Sequence, residues 1–242
     1  EWTDAIDFDR LQEALSAGAF THLAAVHHET TTGRLNDDRQ LVALAEQHGV
    51  DLLLVAVSSF GDEDIPFESP SLAACGVTAN KCLHGIPGLC FVVCRKAALA
   101  GSVEPPRSLT LHLPLWAEKQ DRQTTPFTPS VNGILALDAA LAELAEQGGW
   151  KGRRQRYLRL AGQVRRELAS HGVESLLDAG ESSCVLTAYR IPEGKTYEQI
   201  HDGLKQRGFV IYAGQGGLAR ELFRISTMGD IGRYDTERLV AA

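Results

Sequence analysis

The sequence predicts an α/β fold: a doubly wound, mostly parallel sheet forming a large domain, then a small α+β domain at the carboxyl end. Three observations lead there. Apolar runs of strand length alternate with segments in which apolar residues recur every three or four positions. The run from Asp51 to Val57 is nearly continuous in apolar residues, the mark of a strand covered on both faces, as in a parallel sheet between helices. After residue 130, two long helical patterns and a renewed strand–helix–strand alternation set the last part off, so the expected division is 1–130 and 131–242.

Taken in order, Asp7 to Ala17 places Phe8, Leu11 and Leu15 at helical spacing, with Gly18 as the stop. A strand follows from Thr21 to His27, then a polar loop from Glu29 to Asn36. Asp37 or Asp38 caps the next helix, which runs to His48 with Leu41, Val42 and Leu44 inward and Gly49 closing it. Beyond the Asp51 strand come Ser58-Ser59-Phe60-Gly61 and an acidic, proline-containing loop. Two short strands then flank Lys81. Gly101 to Pro106 is a Gly/Pro-rich break, Leu109–Leu113 a short strand, and a helix lies near Pro114–Lys119. Ser130 caps a long helix that stops at Gly148-Gly149. A second helix, Lys151 to about His171, carries Tyr157, Leu160 and Val164 on one face and a basic face that reads as solvated. Strands at Cys184–Tyr189, Phe209–Tyr212 and Leu222–Ser226, and a helix at Tyr197–Arg207, complete the alternation before a helix beginning at Asp235.

The totals bound the function. A net charge of −7 without any basic run or stripe argues against a nucleic-acid groove. No apolar stretch reaches the ~18 residues of a membrane span. The five cysteines form no Cys-x-x-Cys pair, and Cys90 and Cys94 sit in an apolar run, so packed thiols in a reducing cytoplasm are expected. No His/Cys/Asp spacing reads as a metal site. The chain opens at Glu1 and its single methionine is Met228, which suggests a fragment of a longer polypeptide.

The chemistry converges on Lys81. Between Glu68 and Arg95 it is the one formal charge, set between Leu72–Val77 and Ile86–Val93, both small or apolar. A lysine there is either partnered, or desolvated into a neutral amine that attacks carbonyls, or is the solvated tip of a hairpin. In a doubly wound layer ligands lie beyond the carboxyl ends of the strands, where the Glu29 and Ser58 loops and Lys81 all fall.

The segment Thr78-Ala-Asn-Lys-Cys-Leu-His-Gly85, with Gly85-Ile-Pro-Gly88 after it, resembles the cofactor-lysine segment of class V aminotransferases, which use pyridoxal phosphate. Within that class it is most similar to 2-aminoethylphosphonate–pyruvate transaminases. The resemblance extends in order over Val26-His-His-Glu-Thr-Thr-Thr-Gly-Arg-Leu-Asn36, Ser58-Ser-Phe-Gly61, Phe127-Thr-Pro129, Gly208-Phe-Val-Ile-Tyr212 and Phe223-Arg-Ile225. It implies a fold-type I transferase fold, pyridoxal 5′-phosphate as cofactor, an amine and a 2-oxo acid as substrates, and a homodimer. Lys81 would hold the cofactor covalently and move the proton between the substrate's α-carbon and the cofactor.

Arg224 would pair with the carboxylate of the acceptor substrate, the bland alternative being a structural ion pair. Thr128 would reach the cofactor phosphate of the neighbouring subunit, or merely cap a helix. Thr30 would stand near the cofactor's ring oxygen, although Thr31 and Thr32 are equally available as turn hydroxyls. Thr78 and Asn80 belong to the same cofactor-binding segment, and His27 is expected to pack or hydrogen bond at a strand end.

One departure stands out. The family pattern Asp-Ala-x-Ser-Ser-Phe-Gly reads Val55-Ala-Val-Ser-Ser-Phe-Gly61 here, so the acid that would pair with the pyridine nitrogen is Val55. Asp51 lies about 13 Å back along the strand. Asp62, Glu63 and Asp64 would have to fold back to replace it. The resemblance also implies a Gly/Ser-rich phosphate loop and a ring-stacking aromatic on sequence preceding these 242 residues.

Overall fold

A computed structural model describes residues 3–100 and 106–242. The expected break from Gly101 to Pro106 lies outside the described residues, apart from Pro106.

Helix α1 (Phe8–Ala17) opens on Asp7, whose side chain accepts from the Arg10 N–H at 3.0 Å. Strand β1 (His22–Val26) leads into a short hairpin of β2 (His28–Glu29) and β3 (Arg34–Leu35). Asp37, not Asp38, caps α2 (Asp38–His48), accepting from the Gln40 N–H at 2.9 Å, and Gly49 ends it in the left-handed region. β4 (Asp51–Val55), β5 (Leu72–Thr78) and β6 (Cys90–Cys94) complete a sheet ordered β1-β4-β5-β6. The first three strands are parallel and β6 is antiparallel to β5. Lys81 therefore sits in the connection of an antiparallel pair at the carboxyl end of β5.

One face of this sheet carries the first core. Leu52 and Leu54 are sealed under Leu41, Leu44 and Ala45 of α2, with Leu15 of α1 at the margin. Each such side chain contributes about 2 kcal/mol by leaving water. The other face corrects an expectation. β4 is not covered on both sides: it alternates, and Leu53 and Val55 are 36% and 43% exposed. Register places Val26, Val55, Gly76 and Val92 in one row across all four strands, and no described element lies on that row. Hydrophobicity on both faces was legible in the sequence, but among the described residues only one of them is covered. Cys90, expected to be packed, is exposed on this open face, while the sealed thiols are Cys75, Cys82 and Cys184.

A short α3 (Lys96–Leu99) precedes the gap. The strand expected at Leu109–Leu113 is absent. Thr110 turns instead, its carbonyl accepting the Trp116 indole N–H at 2.8 Å, and α4 (Leu113–Asp121) starts with proline in its first turn, where a missing N–H costs nothing. α5 (Val131–Glu146) begins after Ser130, whose hydroxyl makes no capping bond, and packs Leu137 and Leu144 onto the first core.

α6 (Gly149–Ser170) leads to the second unit. There β7 (Leu186–Arg190), α7 (Tyr197–Gln206), β8 (Tyr212–Ala213) and β9 (Leu222–Ser226) form an antiparallel sheet ordered β7-β9-β8 with one helix, and α8 (Arg233–Ala241) ends the chain. Val164, Tyr189, Ile211, Phe223 and Ile225 make its core, with the Tyr189 and Phe223 rings stacked at 5.5 Å. The strand expected at Phe209–Tyr212 is displaced to Tyr212–Ala213. Its earlier backbone groups close α7: Phe209 N–H donates to Leu204 O, and Ile211 O accepts from the Tyr197 hydroxyl. The strand expected from Cys184 begins at Leu186, because the Val185 N–H turns to the Ser183 hydroxyl at 3.1 Å instead of completing the ladder opposite Thr227.

The basic side of α6 is a further correction. Arg153 is fully buried, and Arg165 donates to Leu177 O at 2.7 Å. These arginines hold the interior together where a solvated face was expected.

Candidate active site

Residues 79–89, the loop after β5, fold back tightly on themselves. Ala79 N–H donates to Leu89 O, Gly85 N–H to Ala79 O at 2.8 Å, and His84 N–H to Lys81 O at 2.9 Å. His84 takes φ +66, and a Cβ at Gly85 would fall 2.9 Å from Ala79 O. Thr78 Oγ1 donates to Asn80 Oδ1 at 2.7 Å, which fixes the residue before Lys81. Cys82 and Leu83 are fully buried and anchor the far side of the loop. Lys81 itself is half-buried, and among the described residues no hydrogen bond or ion pair engages its amine. It lines a cleft of about 570 Å³ with Asn80, His84, Glu143, Gln147 and Met228–Asp230.

Helices α5 and α6 brace this loop from behind. Arg153 Nη1 donates to Cys82 O at 2.8 Å, and Nη2 to Gln147 Oε1 at 2.8 Å and Glu143 Oε1 at 3.2 Å. One turn on, the Tyr157 hydroxyl lies 2.6 Å from His84 Nε2. Burial and the Arg153 charge lower the His84 pKa, and burial holds the Tyr157 phenol well above its ordinary range. None of Arg153, Tyr157, His84 and Glu143 was singled out as a site residue from sequence. The signal was there: the stripe Tyr157, Leu160, Val164 runs back at helical spacing to Arg153.

The loop between β2 and β3 connects Lys81 to Arg224. His28 is buried with Nδ1 2.9 Å from Ser58 O, which makes Nδ1–H the donor, and it lies close enough to Lys81 and Glu29 to feel both charges. Burial pushes its pKa down to about 4. Gly33 is required at the turn: its φ is +82, and a Cβ would meet Leu186 O at 2.7 Å. Ser183 N–H donates to Gly33 O at 2.8 Å, docking the loop onto the second unit.

Arg224, central in the three-stranded sheet, donates from Nε to Ala213 O and from Nη1 to Thr30 O, both at 2.9 Å. No carboxylate forms an ion pair with it among the described residues, so the structural ion pair weighed above is not formed there. Burial lowers its pKa, opposed by Tyr197 and Glu29.

The three threonines separate. The Thr31 hydroxyl donates to Gln215 Oε1 at 2.9 Å, that of Thr32 accepts from the Arg34 N–H, and the Thr30 hydroxyl has no protein partner among the described residues. Arg224 thus meets Thr30, and Thr78 meets Asn80 beside Lys81. Thr128 does not join them. It is exposed before the first turn of α5, whereas Glu143 and Gln147, which line the Lys81 cleft, lie about 22 Å further along that helix.

His27 bonds as expected at its strand end, Nδ1 lying 2.9 Å from Ser59 Oγ. The acids that might stand in for position 55 are engaged elsewhere: Asp51 with Arg95, Asp62 with the Cys184 thiol, Glu63 with Arg154, and Asp64 with Arg39.

No family model matches the chain. Among curated proteins it is 34% identical over 244 residues to the 2-aminoethylphosphonate–pyruvate transaminase of Bacillus cytotoxicus, covering 99% of this chain and 66% of the relative. The same-named enzyme of Vibrio cholerae is 36% identical (93% and 62% covered), and that of Phocaeicola vulgatus 32% (99% and 67%). The chain spans 62–67% of the length of these relatives.

Among solved structures, pyridoxamine–pyruvate aminotransferase from Mesorhizobium loti superposes with a TM-score of 0.86 at 28% identity, over 98% of this chain and 61% of that one. Alanine–glyoxylate aminotransferase from Nostoc gives 0.92 at 22% identity, over 99% and 65%, and shows the fold alone. The fold is that of fold-type I aminotransferases, and the chain belongs to the 2-aminoethylphosphonate–pyruvate transaminase family of class V aminotransferases.

Proposed function

We propose that the full-length protein is a cytoplasmic, homodimeric aminotransferase that uses pyridoxal 5′-phosphate to move the amino group of 2-aminoethylphosphonate to pyruvate, giving phosphonoacetaldehyde and L-alanine. The observation that carries this reading is the Lys81 amine: half-buried at the carboxyl end of β5, on a cleft, and without any acidic partner among the described residues. An amine so placed is available to a carbonyl.

The residues present fit the cofactor at its reactive end. Lys81 would hold it, Thr78 and Asn80 fix the backbone beside that lysine, and the free Thr30 hydroxyl would meet the ring oxygen. When bound, the cofactor supplies the electron sink for the bond broken at the substrate's α-carbon. The protein's part is to carry the proton on Lys81 Nζ and to hold the acceptor. Arg224, whose Nη2 edge has no protein partner among the described residues, would take the pyruvate carboxylate in two parallel hydrogen bonds. Thr128, too far along α5 for its own cleft, would serve the phosphate site of the neighbouring subunit.

The test is alanine formation from 2-aminoethylphosphonate and pyruvate by the full-length protein. Alanine produced with cofactor bound supports the reading. No alanine from that pair, but alanine from another amine and pyruvate, or glycine from alanine and glyoxylate, supports a different class V transamination.

A second reading has one observation behind it. Val55 occupies the position where the family resemblance expects the acid for the pyridine nitrogen, and Asp51, Asp62, Glu63 and Asp64 are all engaged elsewhere. On that reading the protein keeps the fold and the lysine with weakened transamination. A bound yellow cofactor with turnover near zero, rescued by Val55→Asp, would establish it.

A further inference from the structure

Behind the Lys81 loop, away from the cleft, four side chains from three parts of the chain meet in the interior. Asp62 and Glu63 follow the turn after β4, Cys184 precedes β7, and Arg154 comes from α6. One oxygen of each carboxylate and the Cys184 sulfur all lie within 4.8 Å of one another, and all three residues are buried. Cys184 Sγ is 3.2 Å from Asp62 Oδ2 and 3.8 Å from Glu63 Oε1. The Cys82 thiol, next to Lys81, is fully buried and donates to Ser58 O at 3.6 Å.

We propose that this cluster is a divalent-cation site of the zinc type, with Asp62, Glu63 and Cys184 as its protein ligands. Three independent features point to a ligand. Zn–S and Zn–O bonds of about 2.3 and 2.0 Å in a tetrahedron put sulfur and oxygen about 3.5 Å apart, and the two S···O separations straddle that value. Asp62 is fully buried, yet its Oδ1 has no hydrogen-bond partner, an expensive vacancy for a carboxylate oxygen that lies beside the cluster. The charges also balance. Two carboxylates against the Arg154 guanidinium leave one negative charge, and release of the Cys184 proton on binding adds the second that a divalent cation neutralises.

Mixed oxygen and sulfur donors suit zinc better than calcium or magnesium, which take oxygen alone. Binding replaces the Sγ–H···Oδ2 hydrogen bond, and the thiol proton leaves to solvent. The ion would staple the β4 loop to the strand entering the second unit, directly beneath Cys82, so its role is structural. Spacing could not reveal it, because Cys184 lies more than 120 residues from the two acids.

The test counts metal in the full-length protein made in zinc-supplemented medium and dialysed against metal-free buffer, for wild type, Cys184→Ser and Asp62→Asn. We expect about one zinc per chain in wild type and at least a roughly tenfold loss in both variants. Cobalt(II) added to the zinc-free wild type should give a thiolate-to-cobalt absorption band that Cys184→Ser lacks. Wild type that retains less than about a tenth of a zinc per chain, or variants that keep it fully, overturn the proposal. Should the Cys184 variant not fold, Glu63→Gln carries the same comparison, and a missing cobalt–thiolate band in wild type overturns the proposal by itself.

Discussion

Replacing Arg153 with methionine tests whether α6 holds the lysine loop in place. The stem volume is kept, but three hydrogen bonds from a fully buried guanidinium disappear: to Cys82 O, Gln147 Oε1 and Glu143 Oε1. Charge-assisted bonds of this kind are worth about 1.5–3 kcal/mol each, and an orphaned buried carbonyl such as Cys82 O costs about 1–3 kcal/mol. Two terms oppose the loss. The variant no longer desolvates a guanidinium, and Glu143, half exposed, regains water.

The net expectation is about 2–3 kcal/mol of destabilisation, read from urea unfolding of the full-length protein. The carbonyl released is that of the residue next to Lys81, so turnover should fall by about tenfold while KM moves little, the pattern of a misplaced reacting group. Unchanged stability would show that the buried network is not formed. Lost stability with unchanged turnover would show that the network does not position Lys81.

The remaining predictions follow from the other side chains. Arg224→Lys keeps the charge but loses the paired donors, so KM for pyruvate should rise by about tenfold or more. The half-reaction with 2-aminoethylphosphonate, which has no carboxylate, should be unaffected; equal effects on both substrates would refute the assignment. Val55→Asp places an acid on a 43% exposed position, so stability should change by less than about 1 kcal/mol, while turnover rises by on the order of 10²; no gain in rate would refute the electronic role of this position.

His28→Gln tests burial. The native histidine stays neutral down to about pH 4, while the unfolded one takes up a proton below 6.5, so the wild type has this stability above 6.5 and loses it as pH falls towards 4. Over that window the variant should lose about 3 kcal/mol less than the wild type, measured by denaturant unfolding at each end.

The sequence carried the order of elements and the position of the lysine because both rest on local signals. Asp37 and Gly49 bound α2 by capping chemistry, and the isolation of Lys81 among apolar residues is matched by an amine without a partner among the described residues. What could not be read depends on side chains that meet across the chain. Leu53 and Val55 read as buried, but which face of β4 is covered is decided by elements distant in sequence. Arg153 read as part of a solvated face because a charge on a helix is normally solvated. Only the fold shows Cys82 O waiting for it. Which of the Thr30, Thr31 and Thr32 hydroxyls are engaged likewise depends on residues distant from them or folded onto them, Gln215 for Thr31 and the Arg34 N–H for Thr32. Leu109–Leu113 failed for a local reason: apolar content outweighed Pro114, which belongs at a helix start.

The central claim is that the Lys81 amine holds the cofactor. Full-length protein loaded with pyridoxal 5′-phosphate should be yellow, and borohydride reduction followed by peptide mass analysis should find the cofactor fixed on the peptide containing Lys81. In Lys81→Ala both the colour and the modified peptide should be absent. Cofactor fixed on another lysine, or colour retained in Lys81→Ala, would contradict the account.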